Sequence, residues 1–177
     1  FQSVNQTKPI ERFDGGRVEI DFRDSYHFNI AAWELARLVG LQAMVPPCVE
    51  RVISLERGSL CWWVPWKWDE QMRVQQKLRP PDTVQWQRQW DTMRVFRELV
   101  DDTDRNQTNM LISESWHLWM VDFSRAFRKS PTPRKLEQLR RCPAGLLARL
   151  RSLDPDEVRR AVGRHLQRAE LAAVFKR

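Results

Sequence analysis

Three hydrophobic spacings alternate along this chain. In residues 17–22, Val18, Ile20 and Phe22 are interleaved with charged neighbours, the period-two pattern of a strand with one buried face. The turn residues Asp14-Gly15-Gly16 separate that strand from an extended piece at residues 1–4. From Ser25 the spacing becomes helical. Ser25 stands where an N-cap belongs, Ile30, Trp33, Ala36, Leu38 and Val39 predict the buried side, and Gly40 suits the C-terminal end. Pro46-Pro47 stops this helix, and "CVERVISL" and "GSLCWWV" predict two strands joined at Glu56-Arg57-Gly58. Alternate strand residues face opposite ways, so Trp62 and Trp63 cannot both be core, and one of them is expected at a cleft.

A Pro-bounded polar connector follows to about residue 81. A helix capped by Asp82 then carries Trp86, Trp90, Met93, Phe96, Leu99 and Val100 at spacings of three and four. That spacing assigns Trp86 and Trp90 to the core. After the loop "RKSPTPRK", short helices are predicted near residues 135–141, 143–152 and 154–166, with a final piece from Arg168. The pattern therefore predicts an α+β chain: a small antiparallel sheet with one helix, a connector, and a mostly helical remainder.

Composition narrows the functions this chain can serve. A chain of 177 residues with 42% hydrophobic residues can bury a core, and no run of 18 apolar residues offers a membrane span. Cys48, Cys61 and Cys142 are odd in number and widely spaced, which argues against a zinc cluster or a disulfide framework and favours a reducing, cytoplasmic compartment. The net charge of +7 is concentrated late, since residues 123–177 hold 15 Lys/Arg against 5 Asp/Glu. Those helices present a face suited to an acidic partner, or are simply solvated. Because the first residue is Phe1, the chain is expected to be part of a longer one.

The chemistry is concentrated in "DDTDRNQTNMLISESWHLWMVDFSRAF", residues 101–127. A calcium loop starting at Asp102 fails, because Gln107 and Ser113 stand where the turning glycine and the bidentate Glu belong. Phosphoryl transfer asks for something else: a carboxylate to orient the attacking hydroxyl, and oxygen ligands that hold magnesium on the phosphates. Protein kinases place that carboxylate five residues before a metal-binding Asn, then run a hairpin to a metal-binding Asp. Here Asp104 precedes Asn109 by five residues, "MLI" and "WHLWMV" form a hairpin, and Asp122-Phe123 ends it.

"DRNQTN" with "VDFSRAF" resembles the atypical kinases: the HipA-like and phosphatidylinositol 3/4-kinase-like proteins, and the Golgi casein kinase group with its bacterial relatives. "IAAWELARLVGLQAMVPPCVERVI" is similar to the helix and strand of the same group, so the resemblance covers residues 1–127. It implies a two-lobed protein-kinase-like fold, with a partial small lobe over residues 1–64, a hinge and connector over 65–81, and a helical lobe over 82–177 that carries the catalytic hairpin. The glycine-rich loop would precede Phe1. The resemblance further implies Asp104 as the catalytic carboxylate, Arg105 as the residue that fixes its loop, and Asn109 and Asp122 as ligands of Mg2+ or Mn2+. Nucleotide contacts fall to Gln2, Lys8, Asn29 and Arg125. Gln2 occupies the place of the family's Phe-Lys-Pro lysine with Lys8 nearby, and Asn29 that of the lysine's Glu partner, with Glu34 one turn on.

The expected function is an ATP-dependent phosphotransferase, acting on a protein Ser/Thr hydroxyl or a small molecule. Two alternatives stay open: a pseudokinase or scaffold module that keeps the fold without turnover, and a basic nucleic-acid-binding protein.

Overall fold

A computed structural model describes residues 1–177 as an α+β fold of three small antiparallel sheets and six α-helices. β1 (Asn5–Arg12) and β2 (Val18–Ser25) form a hairpin in which Asn5 pairs with Ser25 and Arg12 with Val18. Its turn is left-handed at Gly15 (φ 87°) and Gly16 (φ 84°), a conformation glycine adopts without steric cost. The predicted buried face is realised only at Phe22. Val18 and Ile20 are exposed, because the far end of the hairpin projects beyond the layers that would cover it.

β2 runs directly into α1 (Tyr26–Leu38). Ser25 sits at the N-cap, but its hydroxyl donates to Asn5 Oδ1 at 2.9 Å and does not cap the helix. At the other end, the Leu41 amide reaches back to the Ala36 carbonyl across left-handed Gly40 (φ 77°), a Schellman closure. The buried positions are Phe28, Ile30, Ala31, Ala32, Leu35 and Ala36, whereas Trp33 and Leu38 are only half-buried. The helix is apolar on two sides, since sheet covers one and C-terminal helices cover the other.

β3 (Cys48–Ile53) and β4 (Glu56–Cys61) pair antiparallel. Their turn lies at Ser54 and Leu55, both left-handed (φ 51° and 68°), and not at Glu56-Arg57-Gly58. Gly58 is needed for a different reason: a Cβ there would stand 2.3 Å from the Gln2 carbonyl oxygen, where residue 2 bridges to Ser59. Cys48 and Cys61 face each other in this register and form a disulfide, leaving Cys142 free. The expectation that the three cysteines stay unpaired is thereby corrected. Sequence spacing hid a pairing that the strand register creates.

In the connector, β5 (Trp68–Asp69) leads into α2 (Glu70–Gln75), whose N-cap Asp69 accepts the Met72 amide at 2.7 Å. α3 (Thr83–Val100) starts on Asp82, which accepts from Val84 and Gln85 at 2.9 Å. Trp86 and Trp90 pack against the core beside Trp116, as their spacing predicts. β6 (Met110–Ile112) and β7 (Leu118–Met120) make the hairpin, and β5 adds to its edge. Of the predicted C-terminal helices, residues 135–141 yield only a 3₁₀ turn at Leu136–Gln138. The others are α4 (Ala144–Arg151), α5 (Pro155–Val162) and α6 (Arg168–Lys176). One hydrophobic cluster unites α1, α3, the β6–β7 hairpin and these helices. No helix is long and apolar enough to cross a membrane.

Part of the C-terminal positive charge is spent internally. Arg128 and the enclosed side chain of Arg177 donate to backbone carbonyls, and Arg134 pairs with buried Asp101.

His165, just past α5, is buried. Desolvation, reinforced by the Arg164 cation, lowers its pKa from 6.5 to about 4. Between those values the unfolded chain takes up a proton that the folded chain refuses, so stability is present above pH 6.5 and is lost as pH falls toward 4. The expected slope is about 1.4 kcal/mol per pH unit from this residue. Thermal melts from pH 7 to 4.5 should show a decline that is shallower in His165→Gln; identical slopes would remove His165 from the account.

Candidate functional site

A cleft of about 520 Å³ opens between the β3–β4 sheet with α1 on one side and the β6–β7 hairpin on the other. Gln2, Asn29, the Cys48–Cys61 disulfide, Trp62, Trp63, Trp66, Thr108, Asp122 and Phe123 are among the residues that line it. Trp63 is far more exposed than Trp62, whose ring meets Trp119 edge-on at 5.8 Å.

The hairpin brings Thr108 and Asp122 into the lining of this cleft, while Asp104 and Asn109 stand behind that lining. Met110 pairs with Met120, and the Val121 amide donates to the Asn109 carbonyl at 3.1 Å, so Asn109 and Asp122 meet at the hairpin mouth. Asn109 Nδ2 donates to the Asp104 carbonyl at 3.1 Å, which leaves Asn109 Oδ1 without a partner. Asp122 is left-handed (φ 55°) and exposed, with Oδ1 accepting the Ser124 amide at 3.3 Å and Oδ2 unengaged. A non-glycine residue held in this region costs energy and is favoured where it aims a side chain. Both unengaged atoms are hard oxygen donors of the kind that Mg2+ or Mn2+ takes.

Arg105 holds the mouth together from below. Its Nε donates to Asp102 Oδ2 at 2.7 Å, its Nη1 to the carbonyls of Asn109 (2.7 Å) and Val121, and its Nη2 to the Asp122 carbonyl at 3.4 Å. Asp104 lies beside this network, with Oδ1 paired to Arg125 Nη1 at 2.9 Å. Burial raises the Asp104 pKa, repulsion from Asp102 and Asp122 adds to the rise, and Arg125 opposes it.

The remaining candidates divide. Gln2 and Asn29 are joined: Asn29 Nδ2 donates to Gln2 Oε1 at 2.5 Å and to Ser59 Oγ at 3.2 Å, while its Oδ1 accepts the Phe123 amide at 2.7 Å. This neutral pair ties the first strand segment to the residue after Asp122. Gln2 Nε2 keeps its protons free. Lys8 is not brought to the cleft; it projects from β1 and pairs with Glu11 at 2.5 Å, because its register partner is Phe22 on the outer hairpin. Arg125 is also an internal residue, bridging Asp104 and Glu19 (3.0 Å) rather than lining the cleft. Glu34 is engaged with Arg37 on the outer face of α1. No Lys or Arg lines the cleft.

Sequence reading missed Asp24, Asp102 and Ser59. Asp24 has a buried Oδ1 with no hydrogen-bond partner, and its pKa is raised by burial, with Ser124 opposing the rise and the nearby Asp122 adding to it. An unsatisfied carboxylate oxygen beside a second carboxylate marks a locus that would gain from a cation. Asp102 carried a signal, its i,i+3 spacing to Arg105, whereas Asp24 and Ser59 are brought in by tertiary approach, to Asp122 and to Gln2 and Asn29.

Compared with family models and with curated proteins, the sequence matches none.

Proposed function

We propose that the chain has a two-lobed kinase-like arrangement and transfers a phosphoryl group from ATP to a hydroxyl, with a protein Ser/Thr side chain as the preferred acceptor. One observation carries the reading: Asp104, Asn109 and Asp122 are gathered at one hairpin mouth whose loop is held by a buried arginine, and Asp122 lines a cleft of nucleotide size. In this reading the Asp104 carboxylate orients the acceptor hydroxyl and takes its proton. A pKa raised by burial brings it nearer the working pH of a general base. Asn109 Oδ1 and Asp122 Oδ2 hold the divalent cation, and Gln2 Nε2 donates to a phosphate oxygen. The Trp62 face covers the base and excludes water. Bound magnesium supplies the charge that neutralises the phosphates, a task made heavier by the lack of a lysine in the cleft.

That lack also supports a second reading, a pseudokinase that binds nucleotide without turning it over. Calorimetry with ATP, with and without Mg2+, on wild type and Asp122→Ala separates the two. The phosphotransferase reading expects binding that needs the cation and weakens at least about tenfold, 1.4 kcal/mol, in Asp122→Ala. Binding indifferent to both favours the module without turnover. No binding under any condition removes both readings.

A further inference from the structure

A second cluster of ligating side chains lies outside the cleft. His27 in the first turn of α1, Glu50 on β3 and His165 beyond α5 place ligand atoms within 4.8 Å of one another, and none of the three lines the cleft. The two histidines are 138 residues apart in sequence, yet their Nδ1 atoms face each other at 3.4 Å. That separation is long for a hydrogen bond, whose usual N···acceptor distance is about 2.9–3.0 Å. It does match two imidazoles on one tetrahedral ion, for which Zn–N bonds of roughly 2.0–2.1 Å give N···N near 3.3 Å.

We propose that His27, Glu50 and His165 bind a divalent transition metal of the zinc class, which pins the segment after α5 to α1 and β3. The donor set of two imidazole nitrogens and one carboxylate selects zinc over magnesium, which prefers oxygen ligands throughout. Each residue has the capacity to ligate. Glu50 gives Oε1 to Arg57 at 3.0 Å and keeps Oε2 free, on a side chain flexible enough to close the remaining distance. The Tyr26 ring stacks on His27 at 4.1 Å and fixes its plane. His165 Nε2 accepts from Arg164 Nε at 2.9 Å, which places the ring proton on Nδ1. Binding through Nδ1 moves that proton to Nε2 and turns the exposed Arg164 side chain outward. A fourth position is left to water. The site does not rest on the phosphotransfer reading, because it shares no residue with it.

The test uses untagged, chelator-stripped protein and Zn2+ alone, followed by calorimetry and thermal melting. Wild type should bind one equivalent, and a hundredfold excess over Kd should raise Tm by about 5–10 °C. His27→Gln should lose the bound equivalent and the Tm shift, and Glu50→Gln should bind at least about tenfold more weakly. Arg164→Ala should bind as tightly as wild type or more so, since it removes both a competing donor and a positive charge. Folded wild-type protein that shows neither heat nor a Tm shift overturns the proposal. So does zinc binding that survives unchanged in both His27→Gln and Glu50→Gln, which would move the ion to Cys142 or elsewhere.

Discussion

Asp104→Asn is expected to lower ATP-dependent phosphoryl transfer about 10²–10⁴-fold, the range that a positioned general base contributes, while ATP binding and Tm stay close to wild type. The substitution keeps the side chain's shape. Arg125 loses one carboxylate but retains Glu19 at 3.0 Å, and Asp104 contributes its backbone carbonyl, not its carboxylate, to the Asn109 hydrogen bond. The fold should therefore tolerate the change, and the loss should fall on kcat rather than KM. Because burial raises the Asp104 pKa, the acidic limb of the wild-type rate profile should be shifted upward from that of an ordinary aspartate and vanish in the variant. Turnover equal to wild type would remove Asp104 from the chemistry. A wild type that binds ATP without any turnover would leave Asp104 as loop architecture and favour the module reading.

Legibility in the sequence followed the range of the interaction. Elements set by local chemistry were readable: the Asp82 cap, Pro155 in the first turn after Asp154, Gly40 closing α1, and the hairpin that carries Asn109 to Asp122. Features created by register or tertiary approach were not. The Cys48–Cys61 bond exists because the two residues are partners on paired strands, and Gly58 reads as a turn residue until the Gln2 carbonyl is seen pressed against it. Val18 and Ile20 alternate like buried residues but have no layer above them, since periodicity predicts a face and not what covers it. The same limit applied at the site. Asp104, Asn109 and Asp122 belong to one short segment, so spacing could group them, and Asp122 does line the cleft, whereas Lys8 was placed by proximity in sequence and does not line it. Asp24 was overlooked because nothing within β2 shows that its carboxylate ends beside Asp122.

Arg105→Ala is expected to be the most destabilising single change in the candidate site. The Arg105 and Asp102 side chains are 1% and 0% exposed, with Nη2 and Oδ2 2.6 Å apart, so truncating the arginine strands a buried carboxylate. Breaking such a pair costs about 3–5 kcal/mol. At about 2–4 °C per kcal/mol for a chain of this size, Tm should fall by roughly 6–20 °C. The loss has two sources, since the same guanidinium stitches the carbonyls of Asn109, Val121 and Asp122 and covers the Phe123 ring at 4.4 Å. Arg105→Lys separates them in part: an ammonium keeps the charge opposite Asp102 but cannot hold three carbonyls in one plane, so stability should be intermediate. Asp102→Leu combined with Arg105→Met removes the buried charges together and should recover much of the stability lost by Arg105→Ala. It should not recover cation-dependent ATP binding, because only the Val121 amide then ties Asn109 to the segment of Asp122, and no side chain joins the carbonyls of Asn109, Val121 and Asp122. A Tm drop of less than about 2 °C in Arg105→Ala would show that the pair contributes little. Cation-dependent ATP binding in the double variant would show that the hairpin alone sets the mouth.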